Sequence, residues 1–422
     1  MSTSYDVERI RSDFPALAHG LAYFDGPGGT QTPRQVGEAI AATVTAPLSN
    51  KGTASLPQRN ATAAVVEFRR AMADLLDAEP GGIVYGRSAT ALTYEVSRAL
   101  AKGWSAGDEV VVTRLDHDCN VRPWVQAAES VGATVRWAEF DPATGELPVE
   151  AVAKLITPRT RLVAVTAASN LLGTMPDVNG IAAAARQQGT RQQGTRQQGA
   201  RLQGAGTQGA LVYVDAVHAA AHHLLSLPGS GADFLVCSPY KFLGPHCGVL
   251  AASPALLDTL RPDKLLPATD EVPERFEHGT HPYEVMAGVT AAVDYLADAI
   301  PGSPGTRRER LVAAFAAIGA HEDRLRHRIE DEVERLPGVK RWSRAARRTP
   351  TLLYTFEQRP AADVSRALVE AGVLAPSGNF YALEAALHLG LGIAGGLRVG
   401  LAPYSDDEDV DRLSAALKAI VS

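Results

Sequence analysis

Residues Val214 to Leu250 read VDAVHAAAHHLLSLPGSGADFLVCSPYKFLGPHCGVL, and this stretch contains two apolar runs that end in charged residues. The first, LVYVD, begins just before this stretch at Leu211 and ends at Asp215, and the second, DFLVCSPYK, passes Ser238 and ends at Lys241. Short continuous apolar runs of this kind indicate buried parallel strands. Ligands bind outside the carboxyl ends of such strands in an open α/β sheet. We therefore expect Asp215, Ser238 and Lys241 to share one site.

The composition is typical of a folded protein with a large core. The chain has 422 residues, of which 45% are hydrophobic, so a sizeable α/β core and a second smaller domain are expected. The net charge of -6 argues against nucleic acid or an anionic membrane surface as a partner. The N-terminal residues contain no apolar segment of signal-peptide length, and no run of about 18 apolar residues occurs. We therefore expect a cytoplasmic protein.

The spacing of the cysteines and histidines argues against disulfide bonds and against a metal site. The three cysteines, Cys119, Cys237 and Cys247, form no CxxC pair, which argues against a disulfide framework and a Cys-based zinc site. His117, Asp118 and Cys119 are adjacent on one extended segment, so successive side chains point to opposite faces and do not converge on one ion. The spacing of His218 and His222 in HAAAH suits one helix face, yet no third ligand is evident. The sequence predicts no metal site.

The surroundings of Lys241 favour chemistry at its amine. Aromatic residues flank it, and the turn Gly244-Pro245 follows. Partial desolvation there favours the neutral amine and hence a Schiff base with an aldehyde. A lone lysine at the end of a strand is more often simply exposed, so the neighbouring motifs decide between the two interpretations.

A second stretch, GGIVYGRSATALTYEV, predicts an anion site. It combines a short strand, a turn rich in Ser and Thr, and an amphipathic helix that begins near Thr90. The first N–H groups of the helix, its dipole and the hydroxyls of Ser88 and Thr90 would point at one small volume. A plain helix N-cap is the alternative.

Together these stretches resemble the pyridoxal-phosphate site of the class V aminotransferase and cysteine desulfurase family. The family pattern is a strand-end Asp, then Ser-x-x-Lys and a turn containing Gly, and VDAVH followed by SPYKFLGPHCGVL matches it. The resemblance implies that Lys241 forms a Schiff base with the cofactor and that Asp215 pairs with the pyridine nitrogen. A carboxylate there keeps the ring protonated, and a protonated ring is an effective electron sink.

Shorter motifs extend the resemblance along the chain. DHDCNVRPW is similar to the family's Glu-His-x-x-Asn-x-x-Pro-Trp pattern, which implies that His117 stacks on the pyridine ring. The resemblance further implies that Asn170 and His218 reach the phenolic oxygen of the cofactor. It adds the following residues to the cofactor site: Ser88, Ala89, Thr90, Ser238 and Tyr240. Gly279-Thr280 resembles the pair that reaches the cofactor phosphate of the neighbouring subunit, which implies a homodimer.

The C-terminal part of the chain supplies the expected substrate contacts. LRVGLAPYSDDEDVDRL matches the family ending in which an arginine, here Arg398, binds the α-carboxylate of the substrate. The family's Gly-His-His-Cys-Ala loop is answered by the run from Gly378 to Ala382, in which Asn379 is a further candidate substrate contact. Tyr381 stands where desulfurases carry their persulfide cysteine. A phenol cannot form a persulfide, so we assign Tyr381 to shaping the pocket or relaying a proton.

The resemblance implies the fold type I architecture of aspartate aminotransferase. We expect a large cofactor-binding domain over residues 20–300, with a mostly parallel seven-stranded sheet, and a small α/β domain from residues 1–19 and 301–422. Residues 186–210 form a five-residue repeat rich in Arg, Gln and Gly, which predicts a low-complexity surface insertion without a catalytic part. A nucleic-acid-binding arm is disfavoured because aromatic residues are missing from the repeat.

The sequence thus predicts a pyridoxal-phosphate enzyme that acts on an amino acid through an external aldimine and a quinonoid. Lys241, Asp215, His117 and Tyr381 are its candidate catalytic residues. We favour a desulfurase-like lyase that eliminates a heteroatom from Cβ without a persulfide cysteine. An aminotransferase or an epimerase on the same cofactor is the alternative. A non-catalytic scaffold is disfavoured because every residue type that contacts the cofactor is present.

Overall fold

The computed structural model of the protein describes residues 5–190 and 209–421, without the side chains of residues 188–190. The strands are β1 (Ala22–Tyr23), β2 (Ile83–Gly86), β3 (Glu109–Thr113), β4 (Thr134–Ala138), β5 (Thr160–Thr166), β6 (Leu211–Asp215), β7 (Phe234–Cys237), β8 (Gly248–Ala252), β9 (Val339–Arg341), β10 (Thr351–Phe356), β11 (Val373–Leu374), β12 (Ser377–Gly378) and β13 (Gly396–Gly400). The helices are α1 (Val7–Ser12), α2 (Arg34–Thr45), α3 (Leu56–Leu76), α4 (Ala89–Ala101), α5 (Arg122–Ser130), α6 (Val149–Ala153), α7 (Val178–Thr190), α8 (Leu227–Ser230), α9 (Pro254–Thr259), α10 (Tyr283–Ala297), α11 (Arg307–Val333), α12 (Ala361–Glu370), α13 (Leu383–His388) and α14 (Asp407–Val421).

The main sheet has seven strands in the order β2-β8-β7-β6-β5-β3-β4. Strand β8 is antiparallel to both of its neighbours, and the other pairs are parallel. The strands are continuous apolar runs because both faces of the sheet are covered, and every residue of β3 and β8 is buried. The predicted mostly parallel seven-stranded sheet is confirmed.

The parallel strands bring the predicted motifs to one edge. The carboxyl ends of β2, β3, β5, β6 and β7 lead into the segments that carry the candidate site residues. These segments are short turns and helix starts, so a side chain there is positioned by the sheet itself. This edge is where an open α/β sheet binds its ligands.

A second sheet follows near the C-terminus, with the order β12-β13-β10-β9 and antiparallel pairs. Strand β1 pairs with β11 in parallel. Phe24 packs with Leu325, Val364 and Leu413 in the apolar core of this part, whereas Phe14 belongs to the main core. The N-terminal segment therefore contacts both cores, and the division at residues 19–20 and 300–301 stays a prediction.

The ends of the low-complexity repeat lie next to each other. Residues 191–208 fall outside the described ranges, so the predicted surface insertion is only partly covered. A Cβ placed on Gly209 would lie 2.7 Å from the carbonyl oxygen of Ala185, which shows how closely the chain returns to the second half of α7. A short connector is therefore enough to join α7 to β6.

Within residues 5–190 and 209–421, no helix combines the length and the apolar character that crossing a bilayer requires.

Candidate active site

A cavity of about 350 Å³ lies at the carboxyl edge of the main sheet. The predicted site residues that line it are Ser88, Ala89, Thr90, His117, Asn170, Asp215, His218, Ser238, Tyr240, Lys241, Tyr381 and Arg398. Asn379 lies outside this lining, and Gly279 and Thr280 are exposed on the surface of the chain. The structure thus brings together most residues that the sequence selected from distant segments. Their individual roles stay predictions.

Lys241 ends a single 3₁₀ turn, Pro239–Lys241, directly after β7. Its amine donates a hydrogen bond to the carbonyl oxygen of Pro27 and lies 4.9 Å from the centre of the Tyr240 ring. Burial, reinforced by the charge of Arg398, lowers the pKa of Lys241 to about 7. A neutral amine is a nucleophile and a base, so this lysine is suited to both tasks near neutral pH.

The glycine-rich segment from Gly26 to Thr30 forms one wall of the cavity beside Lys241. The N–H of Thr30 donates to the carbonyl oxygen of Tyr240 at 3.0 Å, and the N–H of Leu243 donates to the Thr30 hydroxyl at 2.9 Å. A Cβ on Gly400 would lie 2.1 Å from a ring carbon of Pro27, so the strand that carries Arg398 needs glycine there. The sequence analysis missed the Pro27 carbonyl as a partner of the lysine.

Asp215 is buried at the end of β6, and both of its carboxylate oxygens have donors. The N–H of Val217 donates to Oδ1 at 2.8 Å, and the thiol of Cys119 donates to Oδ2 at 3.4 Å. Burial raises the pKa of Asp215, while these donors and Lys241 act against that rise. A carboxyl group in such a dry site pairs strongly with a protonated ring nitrogen.

The predicted anion site lies at the start of α4. Ser88 is the N-cap, and its hydroxyl accepts the N–H of Ala91 at 3.1 Å. A Cβ on Gly248 of the neighbouring strand would lie only 2.3 Å from the carbonyl carbon of Ser88. Glycine at this position therefore lets the helix start approach the sheet closely, and Ser88, Ala89 and Thr90 line the cavity. Such a cradle suits a phosphate group.

His117 is held neutral above the cavity. Its Nδ1 accepts the backbone N–H of Cys119 at 3.0 Å. Burial, with the positive charges of Lys241 and Arg398, lowers the pKa of His117 to about 4. The ring lies 5.7 Å from that of Tyr381. A neutral, flat imidazole in this place can stack on an aromatic cofactor.

Asp116 is a buried carboxyl group that the sequence analysis missed. Burial raises its pKa to about 8, although the Thr113 hydroxyl and the Asn120 amide, the latter at 2.7 Å, donate to it. The nearby carboxylate of Asp215 adds to the rise. Its position one residue before His117, at the end of a buried strand, was the signal that could have revealed it.

Arg398 lies on β13 with its guanidinium buried at the cavity. One terminal nitrogen donates to the carbonyl oxygen of Asn170 at 3.0 Å, and the guanidinium carbon lies 3.7 Å from the centre of the Phe380 ring. Its Nε has no partner among the described residues. Burial lowers the pKa of Arg398 to about 9. A buried guanidinium with a free N–H suits a carboxylate ligand, and Phe380 is a neighbour that sequence reasoning missed.

The loop at the mouth of the cavity has two consecutive residues in the left-handed region. Phe380 has φ 52° and Tyr381 has φ 59°. The N–H of Asp118 donates to the carbonyl oxygen of Tyr381 at 2.7 Å, and the side-chain oxygen of Asn379 accepts the N–H of Tyr381 at 3.0 Å. The amide nitrogen of Asn379 donates to Ile393. Asn379 therefore stabilises the loop, and the Tyr381 side chain is left 75% exposed.

The HAAAH segment is a short 3₁₀ turn, Ala219–Ala221, where a helix face was expected. His218 lines the cavity, whereas His222 binds the carboxylate of Glu322 at 2.9 Å. The two rings still meet edge to face at 5.1 Å. In the described part of the chain, no group of three or more His, Cys, Asp or Glu side chains is arranged to hold a metal ion.

Comparison with known proteins identifies the family. The model of the family described as aminotransferase class-V matches residues 22–413. The chain belongs to this family. Over 99% of its length it is 32% identical to the uncharacterized protein MT3887 of Mycobacterium tuberculosis, all of which is covered. A probable cysteine desulfurase of Xylella fastidiosa is 29% identical, with 98% of this chain and 95% of that protein covered.

Solved structures share the fold. The cysteine desulfurase CsdA of Escherichia coli superposes with a TM-score of 0.83 at 24% identity, covering 99% of this chain and all of that one. The apo cysteine desulfurase of Thermococcus onnurineus NA1 gives 0.85 at 24% identity, covering 98% of each chain. Members of the family use pyridoxal phosphate, so the predicted family, fold, cofactor and enzyme class are confirmed. The buried amine, the buried carboxyl and the cradle beside Gly248 fit this cofactor.

Proposed function

We propose that the enzyme is a desulfurase-like lyase that removes a heteroatom substituent, such as sulfur, from Cβ of an amino acid and does not carry it on a cysteine. This proposal rests on the observation that Tyr381 lies at the mouth of the cavity, at the position where desulfurases carry their persulfide cysteine. Cys119 lines the cavity, but its thiol is buried against the carboxylate of Asp215, and Cys237 and Cys247 are buried as well. Burial raises the pKa of all three thiols. Because the thiolate is the nucleophile that accepts sulfur, none of them suits a persulfide carrier.

The cavity residues divide the expected work between them. When bound, pyridoxal phosphate withdraws electrons from the α-carbon of the amino acid attached to it. In this proposal, Arg398 binds the substrate carboxylate, which orients the Cα–H bond toward Lys241. The Lys241 amine, with a pKa of about 7, takes the α-proton. The electron pair of the broken Cα–H bond then expels the Cβ substituent as an anion.

Asp215 supports this step through its charge. Its buried carboxylate stabilises positive charge on a ring nitrogen, and removing one such electrostatic partner costs roughly 3 kcal/mol of transition-state stabilisation. The unsaturated product hydrolyses to a 2-oxo acid and ammonia. For a cysteine substrate, the products are pyruvate, ammonia and sulfide.

A product assay tests the proposal. The protein is incubated with pyridoxal phosphate and cysteine, or a cysteine S-conjugate, in excess thiol, and pyruvate, ammonia and sulfide or the released thiol are quantified. We expect pyruvate and the sulfur product in equal amounts, and no turnover by Lys241→Ala. Alanine release together with a persulfide on Cys119 or Cys247 would overturn the proposal.

The same assay separates the alternatives. An aminotransferase would need a 2-oxo acid as the second substrate and would leave the Cβ substituent in place. An epimerase would exchange the α-proton with solvent deuterium and invert the amino acid without releasing ammonia. A scaffold would bind the cofactor and turn over none of these substrates.

A further inference from the structure

His218 is held by two threonines at the start of strand β10. Its Nε2 lies 3.0 Å from the hydroxyl oxygen of Thr349 and 2.9 Å from that of Thr351. All three residues are buried, and Nδ1 of His218 has no hydrogen-bond partner in the described part of the chain. Burial lowers the pKa of His218 well below its ordinary value. The ring is therefore neutral and carries one proton, on either Nδ1 or Nε2.

The two hydroxyl groups decide between these nitrogens. The Thr349 hydroxyl has a second acceptor, the carbonyl oxygen of Gly173 at 3.4 Å. The Thr351 hydroxyl has Nε2 of His218 as its only acceptor among the described residues. Nε2 must be unprotonated to accept that hydrogen bond. A proton on Nε2 would leave the buried Thr351 hydroxyl without an acceptor, and buried polar groups rarely go unpaired. Nδ1 lacks a partner among the described residues in either tautomer, so the Thr351 hydroxyl decides between them.

We propose that Thr351 fixes His218 as the Nδ1–H tautomer and is thus a positioning residue. His218 lines the cavity, and in this tautomer its Nδ1–H is a donor with no partner in the described part of the chain. The ring of His222 packs against His218 at 5.1 Å, but the Nδ1 atom of His222 is engaged with Glu322, which leaves the threonines to set the tautomer.

A neutral N–H suits an anionic oxygen of the ligand in the cavity. It stabilises the negative charge without adding a titrating proton, because His218 stays unprotonated at neutral pH. This role of His218 toward the ligand rests on the proposed function. The assignment of the tautomer is independent of it, because the hydrogen bonds of the threonines determine which nitrogen carries the proton.

Nitrogen NMR of the full chain, labelled with ¹⁵N in its histidine rings, tests the tautomer directly. The His218 signals are assigned by their loss in His218→Gln. We expect Nδ1 to give the protonated type of signal and Nε2 the unprotonated type. The opposite pattern in the unmodified chain would overturn the proposal without any need for a Thr351 variant.

Three threonine variants separate positioning from simple packing. Thr351→Val keeps the shape but removes the hydroxyl, so the Nδ1–H signal should give way to Nε2–H or to a mixture. Thr351→Ser should retain the original pattern, and so should Thr349→Val. An unchanged Nδ1–H pattern in Thr351→Val would contradict the proposal.

The protein loaded with pyridoxal phosphate supplies a second readout. Thr351→Val should shift the absorbance maximum of the bound cofactor, whereas Thr351→Ser should not. In a His218→Gln background, Thr351→Val should not shift the absorbance maximum further. The glutamine amide has a fixed N–H donor and no tautomers for Thr351 to select. A protein that takes up no cofactor would refute the proposed function but leave the NMR result standing.

Discussion

The amine of Lys241 is tuned by two features of its surroundings. Burial is the larger cause of its lowered pKa, about 7, and the positive charge of Arg398 is the next. Below this pKa the amine is protonated and cannot attack an aldehyde. We therefore predict that the rate of cofactor attachment to the cofactor-free protein rises with pH and levels off above about 7. Stopped-flow absorbance measures this rate.

Variants at Arg398 provide the matched control for this pH profile. Arg398→Gln removes the charge that favours the neutral amine, so the midpoint should move to higher pH. Arg398→Lys keeps a positive charge, and its midpoint should stay close to that of the unmodified protein. A midpoint near the ordinary lysine value of about 10.4 in the unmodified protein would contradict the prediction.

The sequence predicts individual site residues that lie at the ends of strands. It misses residues that contact the site from distant parts of the chain. Lys241 and Asp215 were found because a charged residue that follows an apolar run is conspicuous. Thr351 contacts His218 across 133 positions of the chain, and no local pattern in TLLYTFEQ signals that contact. The Pro27 carbonyl is equally hidden, because any residue could supply a backbone oxygen there.

The loop at the cavity mouth holds backbone strain next to the proposed site. Tyr381 has φ 59°, where an L-residue with a Cβ costs about 1 kcal/mol relative to glycine. We predict that Tyr381→Gly is more stable than Tyr381→Ala by about 1 kcal/mol, since both remove the ring but only alanine keeps the strain. Urea unfolding measures the difference in free energy.

Arg366 provides the control position, because it is exposed in the interior of helix α12. In a helix, alanine should be more stable than glycine by about 1 kcal/mol, so the sign of the difference reverses. Equal stability of the two Tyr381 variants would show that the loop relaxes and that no strain is held there.

Strands and helices were predicted well where the sequence shows a continuous pattern of apolar residues. The run LVYVD coincides with β6, Leu211–Asp215. The helix expected near Thr90 begins at Ala89. HAAAH was misinterpreted because a four-residue spacing marks a helix face only if the helix continues, and here the chain leaves the turn toward the next N-cap, Ser226.

At the scale of the whole chain, the five-residue repeat is expected to be dispensable. Gly209 packs against Ala185 and Arg186, so the chain can be closed without the repeat. We predict that deleting Thr190 to Gly209, which joins Gly189 to Ala210, leaves cofactor content and subunit association unchanged. Absorbance and size-exclusion chromatography with light scattering measure both. Removing only Thr190 to Gly194 is the control, and loss of association in the longer deletion alone would give the repeat a structural role.

Gly279 and Thr280 are exposed, although the segment that carries them is anchored to the rest of the chain. The side chain of Glu277 is buried and pairs with Arg69 at 2.8 Å. The proposed homodimer explains this arrangement if Thr280 reaches the phosphate in the partner's cavity. Each complete site would then need Lys241 from one subunit and Thr280 from the other.

Mixing two defective variants tests whether the site is shared. Thr280→Asp sets a carboxylate against the cofactor phosphate, and Lys241→Ala removes the attachment point, so neither homodimer should hold covalent cofactor. After subunit exchange, half of the dimers are mixed, and one of the two sites in each combines an intact Lys241 with an intact Thr280. We predict that borohydride-reducible cofactor returns to about a quarter of the unmodified level. A chain with both substitutions should restore nothing when mixed with Lys241→Ala, because that mixture contains no intact Lys241. If tagged subunits prove that mixed dimers form and no cofactor returns, Thr280 does not act across the interface.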